Sequence, residues 1–203
     1  ITKMIAHELI QESLKDEKLR IAKSRRDEIR RMVDYYTDTE TDKYINQHFT
    51  AVAFREIPPY SVNITRRFIN KMSRIYTLGA DRNVSDDYLF LTRKKNARMK
   101  HIERMTRLVG TIANRVMIKE DANGTYFEYR PIYYYDAFFD EDPFLPMAIT
   151  YPLLLPVNDT SKTDQLQYAY WDDTHYAHYD EDGNIIMQYE HGFGMLPFVF
   201  THR

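Results

Sequence analysis

The chain has 203 residues, 43% of them hydrophobic and 29% charged, with a mean hydropathy of -0.60. This length suffices for one domain or two small ones with a substantial core. No stretch approaches the roughly 20 apolar residues that a membrane-spanning helix requires. Cysteine is absent, which excludes disulfides, thiolate zinc sites and cysteine nucleophiles and suits a reducing cytoplasm. We therefore expect a protein without a transmembrane segment.

The formal net charge of -2 conceals two oppositely charged parts. Residues 1–119 contain 25 Lys and Arg against 15 Asp and Glu, an excess of 10 positive charges. Residues 120–203 contain 3 against 15, an excess of 12 negative charges. Such a split can bring opposite surfaces of neighbouring molecules together in an assembly. Composition alone favours the simpler interpretation, two solvated faces with different side chains.

The first part of the chain predicts amphipathic helices. Residues 1–36 contain no Gly or Pro and place apolar side chains at helical spacing among charged ones, with a break near Asp16. A second helix is predicted to open around Asn63 and to end at Gly79. A third runs over residues 97–112, with Val116 still in phase. The apolar face of the second helix comprises Ile64, Phe68, Ile69, Met72, Ile75 and Tyr76.

From residue 115 onward the pattern predicts antiparallel strands. A Tyr-rich hairpin is expected around the turn at residues 121–124, because its Asn-Gly pair supplies the positive φ angles of a tight primed turn. Short strands at 165–171, 175–179 and 185–189 follow as a β-meander, with turns at Asp172-Asp173 and at residues 180–184. The closing segment EHGFGMLPFVF, residues 190–200, predicts a glycine bend and then a buried strand over its last three residues.

Helices followed by antiparallel strands indicate an α+β fold. The expected organisation is a mainly helical, basic part over residues 1–114 and a mainly antiparallel β, acidic part over residues 115–203, together forming one composite domain. An apolar strand so close to residue 203 is typical of an internal junction, because chain ends are usually polar and frayed. We therefore expect the functional molecule to be longer than this chain.

No motif for catalysis or cofactor binding is present in the sequence. Neither GxxxxGK[ST] nor GxGxxG occurs, and His7-Glu8 lacks the second histidine of HExxH because position 11 is glutamine. His175 and His178 lie three apart in a predicted strand, which sends them to opposite faces. A hydrolase using Asp140 and Asp142 is disfavoured, because nearby carboxylates on a turn lack a buried, opposed geometry. We predict no enzymatic activity, no cofactor and no metal site.

Two basic clusters are the candidate interaction sites. A cation near a nucleic-acid phosphate releases a counterion and adds sequence-independent affinity, so one alternative function is a cytosolic nucleic-acid-binding module that uses the basic helices. Short runs without interleaved aromatic residues are more typical of a solvated face. The candidates for nucleic-acid contact or a subunit interface are Arg66, Arg67, Lys71 and Arg74 on the second helix, and Arg93, Lys94, Lys95 and Arg98 before and within the third.

Five segments follow one another in an order that is more informative than any single motif. They are a charged helix leading to Tyr35-Tyr36, NITRRFINKMSRIYTLG at 63–79, HIERMTRLVGTIANR at 101–115, PIYYYD at 131–136 and GFGMLPFV at 192–199. Together they resemble the N-terminal, wing-region half of tailed-bacteriophage portal proteins, the head-to-tail connectors. The resemblance spans most of the chain. It departs from the family after the paired tyrosines, where Thr37-Asp38 stands in place of the usual glycine.

The resemblance implies a structural virion protein rather than an enzyme. Subunits of that family form a ring, most often a dodecamer, at one capsid vertex, and a separate terminase drives double-stranded DNA through the channel. The expected partners are further copies of this chain, the major capsid and scaffold proteins, terminase, a tail adaptor and DNA, with no membrane. Assembly would take place in the host cytoplasm and the final location would be the virion. Clip, stem and crown would follow Arg203, and no DNA-contact residue carries over.

Overall fold

The computed structural model describes residues 18–38, 63–76, 83–93, 95–142, 144–153, 167–180 and 182–203. These parts form an α+β fold with antiparallel sheets, which confirms the predicted fold class. The elements, in chain order, are α1 (Lys18–Thr37), α2 (Ile64–Met72), α3 (Asp86–Leu91), α4 (Lys95–Val109), β1 (Thr111–Asp121), β2 (Gly124–Ile132), β3 (Asp136–Phe139), β4 (Pro146–Leu153), β5 (Gln167–Trp171), β6 (His175–Asp180), β7 (Ile185–Glu190) and β8 (Phe198–His202).

The chain divides into two compact units. One, here called the sheet unit, comprises Ile1–Arg26 and Ile132–Val199; the other, the helical unit, comprises Asp27–Pro131 and Phe200–Arg203. One sheet has five strands in the order β3-β4-β5-β6-β7, and another has three in the order β2-β1-β8. The organisation as one composite domain divided at residues 114 and 115 stays a prediction.

The C-terminal end of α1 is tied to the start of α2 by Asn63. Its Nδ2 donates to the last two tyrosine carbonyls of α1 at 2.8 and 3.1 Å. Its Oδ1 accepts from the backbone N–H of Arg66 at 2.7 Å, which confirms Asn63 as the N-cap of α2. Tyr36, buried at the end of α1, donates its hydroxyl proton to Asn70 Oδ1 at 3.1 Å. The predicted helical stretch over 1–17 lies outside the described residues. Helix α2 ends at Met72, with Ser73 as its C-cap, so the predicted continuation of this helix to Gly79 is wrong.

Helix α4 buries the predicted face but is shorter than predicted. Ile102, Met105 and Val109 are buried, whereas Gly110 adopts a φ of 92°, a left-handed conformation that ends the helix. Strand β1 begins at the next residue, so the predicted continuation of this helix to Ile112 is wrong. Ile112 is fully buried, but as a strand residue. Its spacing from Val109 fits a helical period, which is why the sequence pattern extended the helix across Gly110.

The structure adds three elements that the sequence did not predict: α3, β3 and β4. Helix α3 is capped by Ser85, whose Oγ accepts from the backbone N–H of Tyr88 at 3.4 Å. Strands β3 and β4 pair antiparallel, with Phe138 opposite Ala148. Strand β4 begins with one proline and contains another, and proline weakens the sequence signature of a strand because it cannot donate a ladder hydrogen bond.

The predicted turns of the meander are confirmed, and each is held by an aspartate. Asp172 Oδ1 accepts from the backbone N–H of Thr174 at 2.8 Å, between β5 and β6. Asp180 Oδ1 accepts from the backbone N–H groups of Asp182 and Asn184 at 3.0 and 2.8 Å, between β6 and β7. The side-chain hydrogen bond from Asn184, with backbone donors, lowers the pKa of Asp180. A turn between β1 and β2 is also present at the predicted position, but of residues 121–124 only Gly124, at 104°, has a positive φ, so the predicted primed turn type is wrong.

Trp171 is the packing centre of one face of the five-stranded sheet. Its ring is 1% exposed and lies 4.6 Å from the Tyr176 ring, 5.3 Å from His191 and 6.0 Å from Phe198, measured between centroids. Its indole Nε1–H donates to the Tyr151 hydroxyl at 3.2 Å. Because a buried indole N–H needs an acceptor, the Tyr151 hydroxyl oxygen is required to accept this hydrogen bond within the core.

The opposite face of this sheet carries its own buried cluster. Ala148, Tyr170, Ala177 and Tyr179 are buried together, and Phe138 and Tyr168 pack against them. The rings of Tyr168 and Tyr179 stack with centroids 5.3 Å apart. Burial, together with the carboxylate of Asp172, raises the pKa of Tyr170 well above its usual range. The high tyrosine content therefore reflects sheet packing to a large extent, as the sequence indicated.

The closing strand is present, but its burial is only partial. Phe198 is buried between Trp171 and Tyr151, with ring centroids 6.0 and 6.2 Å away. Val199 is 51% exposed, so the prediction that residues 198–200 are buried as a run is wrong. Alternation explains the difference, since successive side chains of a strand point to opposite faces.

We expect Tyr151→Phe to lower the free energy of unfolding by about 1–2 kcal/mol, because the buried Trp171 N–H loses its acceptor. Urea unfolding followed by fluorescence of the single tryptophan measures this directly. The matched control is Tyr189→Phe, whose ring is 47% exposed and whose removal of a hydroxyl should change stability by less than about 0.5 kcal/mol. Equal unfolding midpoints for the two variants would contradict the assignment.

Candidate functional site

Helix α2 carries an apolar stripe that faces solvent. Of the predicted apolar face within the helix, Ile69 is buried, whereas Ile64 is 74% exposed and Phe68 61% exposed. Met72 and, just beyond the helix, Ile75 continue the exposed side at 39% and 67%. The spacing predicted an apolar face correctly, but the expectation that such a face packs into the core holds only for Ile69. We call Ile64, Phe68, Met72 and Ile75 the apolar stripe.

The four predicted cations of this helix lie beside the stripe and are exposed. Residues 63–76 contain no acidic residue, and in the part of the chain that the structure describes no carboxylate pairs with Arg66, Arg67 or Lys71. Arg74 donates from Nε to the carbonyl of Lys71 at 2.9 Å, a contact within the same segment. Because residues three apart are neighbours on a helix surface, Arg67 adjoins Ile64 and Lys71 adjoins Phe68.

Arg93, by contrast, is engaged inside the helical unit. Its guanidinium donates to Asp121 Oδ1 at 2.8 Å and to the carbonyls of Gly124 and Thr125 at 2.9 and 3.0 Å. It also lies over the rings of Phe90 and Tyr126, 4.5 and 4.8 Å from their centroids. With these partners Arg93 fixes the β1–β2 turn against the junction of α3 and α4. Its guanidinium donors are therefore largely engaged within the helical unit.

The two remaining described cations of this cluster also contact the β1–β2 hairpin or α3. Lys95 donates to the Tyr88 hydroxyl at 3.0 Å and lies 5.3 Å from the Tyr129 ring centroid. Burial lowers the pKa of Lys95, but its interactions with Tyr88 and Tyr129 outweigh that effect and raise the pKa overall. Arg98 pairs with Glu128 at 2.8 Å. Lys94 lies outside the described residues.

Glu128 on β2 forms ion pairs with cations of two other elements, β1 and α4. It accepts from Lys119 on β1 at 2.8 Å as well as from Arg98 on α4. The hydrogen bond from Lys119 is the main cause of its lowered pKa, and Arg98 adds to it. The groove between α4 and β2 that contains Arg98 and His101 is therefore crossed by an ion pair. Burial and the neighbouring Arg98 and Arg104 charges lower the pKa of His101, which disfavours its cationic form.

The turn between β3 and β4 is a second exposed surface, and the sequence reasoning missed its apolar part. Phe144 is 88% exposed and Leu145 70% exposed, and Asp142 Oδ1 accepts from the backbone N–H of Phe144 at 2.8 Å. The available signal was an apolar pair one residue after a run of three acidic residues. The acidic tip, as we call it, comprises Phe139, Phe144, Leu145 and Met147 with Asp140, Glu141 and Asp142.

The acidic character extends across the five-stranded sheet. Residues 132–153 and 167–190 contain ten Asp and Glu and no Lys or Arg. The charge split seen in the sequence is thus attached to particular elements: α2 carries cations, and the sheet and its β3–β4 turn carry carboxylates. Asp140 and Asp142 are exposed on that turn. They therefore lack the buried, opposed geometry of a catalytic carboxylate pair.

The residues that the structure describes contain neither a metal-binding cluster nor a membrane-spanning helix. Across the described ranges, no three His, Asp or Glu side chains are arranged to hold a metal ion. No helix in those ranges is both long and apolar enough to cross a membrane. His175 and His178 lie on opposite faces of β6; His175 instead contacts Thr174 Oγ1 at 2.6 Å, beside the Asp172 turn.

Comparison with protein-family models and with curated proteins found no match to this chain.

We expect Arg93→Ala to destabilise the protein by about 2–3 kcal/mol, because several hydrogen bonds from one charged donor group are lost together. Thermal unfolding followed by circular dichroism measures the effect. Arg67→Ala is the matched control: it removes the same side chain from the exposed face of α2 and should change stability by less than about 0.5 kcal/mol. Similar losses in both variants would show that Arg93 has no special structural role.

Proposed function

We propose that this chain is the wing-region part of a bacteriophage portal subunit, a structural protein that acts by self-assembly. The observation that carries the proposal is a pair of exposed, oppositely charged apolar surfaces, the α2 stripe with its cations and the acidic tip. An exposed apolar patch rimmed by polar side chains is typical of a protein–protein contact. A chain that presents two different complementary patches is suited to repeated association with itself.

The order of elements supports the same proposal. A charged helix ends at Tyr35-Tyr36, the capped helix α2 follows, and α4 leads directly into a Tyr-rich hairpin. The closing Gly-Phe-Gly-Met-Leu-Pro segment leads into β8. These are the segments on which the resemblance to portal proteins rests, in the same order. The support is one of order and element type, not of individual functional residues.

In this proposal the chain works without catalysis. Copies form a ring, a dodecamer by analogy with the family, at one capsid vertex, where the capsid and scaffold proteins and the tail adaptor also bind. Terminase supplies the energy for moving double-stranded DNA through the ring. Neighbours in a ring meet through two different surfaces of the same chain, so segregated charges favour the correct head-to-tail orientation and disfavour contact between like surfaces.

The proposal predicts concentration-dependent self-association of the 203-residue chain into species larger than a dimer. Native mass spectrometry and light scattering over a concentration series should detect them at about 0.1 M salt and show weaker association at about 1 M, because the screening length falls from about 10 Å to about 3 Å. A monomer at every concentration and at both salt concentrations would overturn the proposal.

A nucleic-acid-binding module is the second candidate, and the exposed cations of α2 are the observation that favours it. If it is correct, the chain binds a DNA duplex with an affinity that falls steeply with salt. Fluorescence anisotropy should then show Arg67→Ala weakening binding for all sequences and reducing the slope of log affinity against log salt by about 1. A flat isotherm at low salt would discard this function and would leave the assembly proposal untouched.

A further inference from the structure

The two exposed apolar surfaces of this chain are complementary in charge as well as in chemistry. The α2 surface, residues 63–76, has four cations and no anion, and the acidic tip has three carboxylates and no cation. Each carries four partly or largely exposed apolar side chains. If the α2 surface and the acidic tip met, apolar side chains would contact apolar side chains, and the cations of α2 would lie opposite the carboxylates of the tip.

The shapes of the two surfaces are also compatible. Within α2, Ile64 to Met72 spans about 12 Å at a rise of about 1.5 Å per residue, so the stripe is an elongated ridge on one helix side. The tip is a turn closed by the pairing of Phe139 with Pro146, from which Phe144 and Leu145 project into solvent. Two adjacent apolar side chains on a turn can cover the helix stripe at one point along its length, with the preceding carboxylates beside the arginines and lysine.

Like charges exclude pairing of either surface with itself. Two α2 surfaces brought together would oppose eight cations with no anion between them, and two acidic tips would oppose six carboxylates. Contacts of this kind are costly, because a juxtaposed like charge loses hydration without gaining a partner. A second copy of the chain therefore has to offer the other surface, which makes the contact heterologous.

We propose that the acidic tip of one copy docks on the α2 apolar stripe of the next copy, with Asp140 and Glu141 facing Arg67 and Lys71. This inference rests on the proposed function, since it names the two surfaces through which copies of the chain associate. A heterologous contact leaves one free surface of each type at the ends of a chain of copies, so the same contact repeats until a ring closes or a filament grows.

Charge reversal on each surface, followed by mixing, tests this pairing. The first variant is Arg67→Glu with Lys71→Glu, and the second is Asp140→Lys with Glu141→Lys; all four residues are exposed. Each variant alone should associate at least about tenfold more weakly than the unaltered chain. An equimolar mixture should recover the association, because the reversed helix surface of one variant then meets the reversed tip of the other.

The matched control for the first variant is Arg30→Glu with Arg31→Glu on α1, which makes the same net charge change at two exposed arginines outside both surfaces. It should leave association unchanged apart from the general effect of net charge. A mixture that behaves as the simple sum of its two variants would overturn the pairing. Recovery only when both reversals are placed in one chain would also overturn it, because the contact would then lie within a single copy.

Phe144→Ser provides a second measurement that does not alter charge. The ring is 88% exposed, so the melting temperature should stay unchanged while association weakens about tenfold. Unchanged association would overturn the inference. Association of the unaltered chain that none of these variants affects would refute only this pairing, whereas a strictly monomeric unaltered chain would refute the proposed function itself.

Discussion

The placement of one guanidinium, that of Arg93, constrains the helical unit. Its hydrogen bonds to Asp121, Gly124 and Thr125 and its contacts with two aromatic rings join α3, the start of α4 and the β1–β2 turn. A partly buried guanidinium needs acceptors for its N–H groups, and the Asp121 carboxylate and the first two carbonyls of β2 supply them. The interaction thus fixes the hairpin and pairs the charge of Arg93 with the Asp121 carboxylate.

This constraint divides the basic residues into two classes with different roles. The cations Arg93, Lys95 and Arg98 have partners within the helical unit: Asp121, Glu128 and the tyrosine hydroxyls and rings. Those of α2 have no acidic residue within their own segment and remain beside an exposed apolar stripe. Charge that is free, clustered and adjacent to apolar surface suits recognition of another molecule, whereas charge that is paired stabilises its own fold.

The sheet shows a corresponding division between aromatic residues that pack and apolar residues that project. Trp171, Tyr170 and Tyr179 are almost completely buried, and the strands around them contain no Lys or Arg. Among the described apolar side chains of the sheet unit, Phe144 on the β3–β4 turn is the most exposed, and it lies close after three acidic residues. A carboxylate-rich surface keeps such a turn soluble and also disfavours its contact with other acidic tips, which leaves a basic partner as the favoured one.

The sequence by itself determined the α+β class, the Asn63 cap, the turns at Asp121, Asp172 and Asp180, and the segregation of charge, because each depends on local residue chemistry or on counting. It did not determine which apolar faces are covered. The periodicity of α2 and that of α4 both indicate an amphipathic helix, yet α4 buries its face and α2 exposes most of one. Likewise, Arg67 and Arg93 are the same residue type in similar basic runs. Only the tertiary structure placed Asp121 and the turn carbonyls beside Arg93, because burial and pairing depend on segments far away in the sequence.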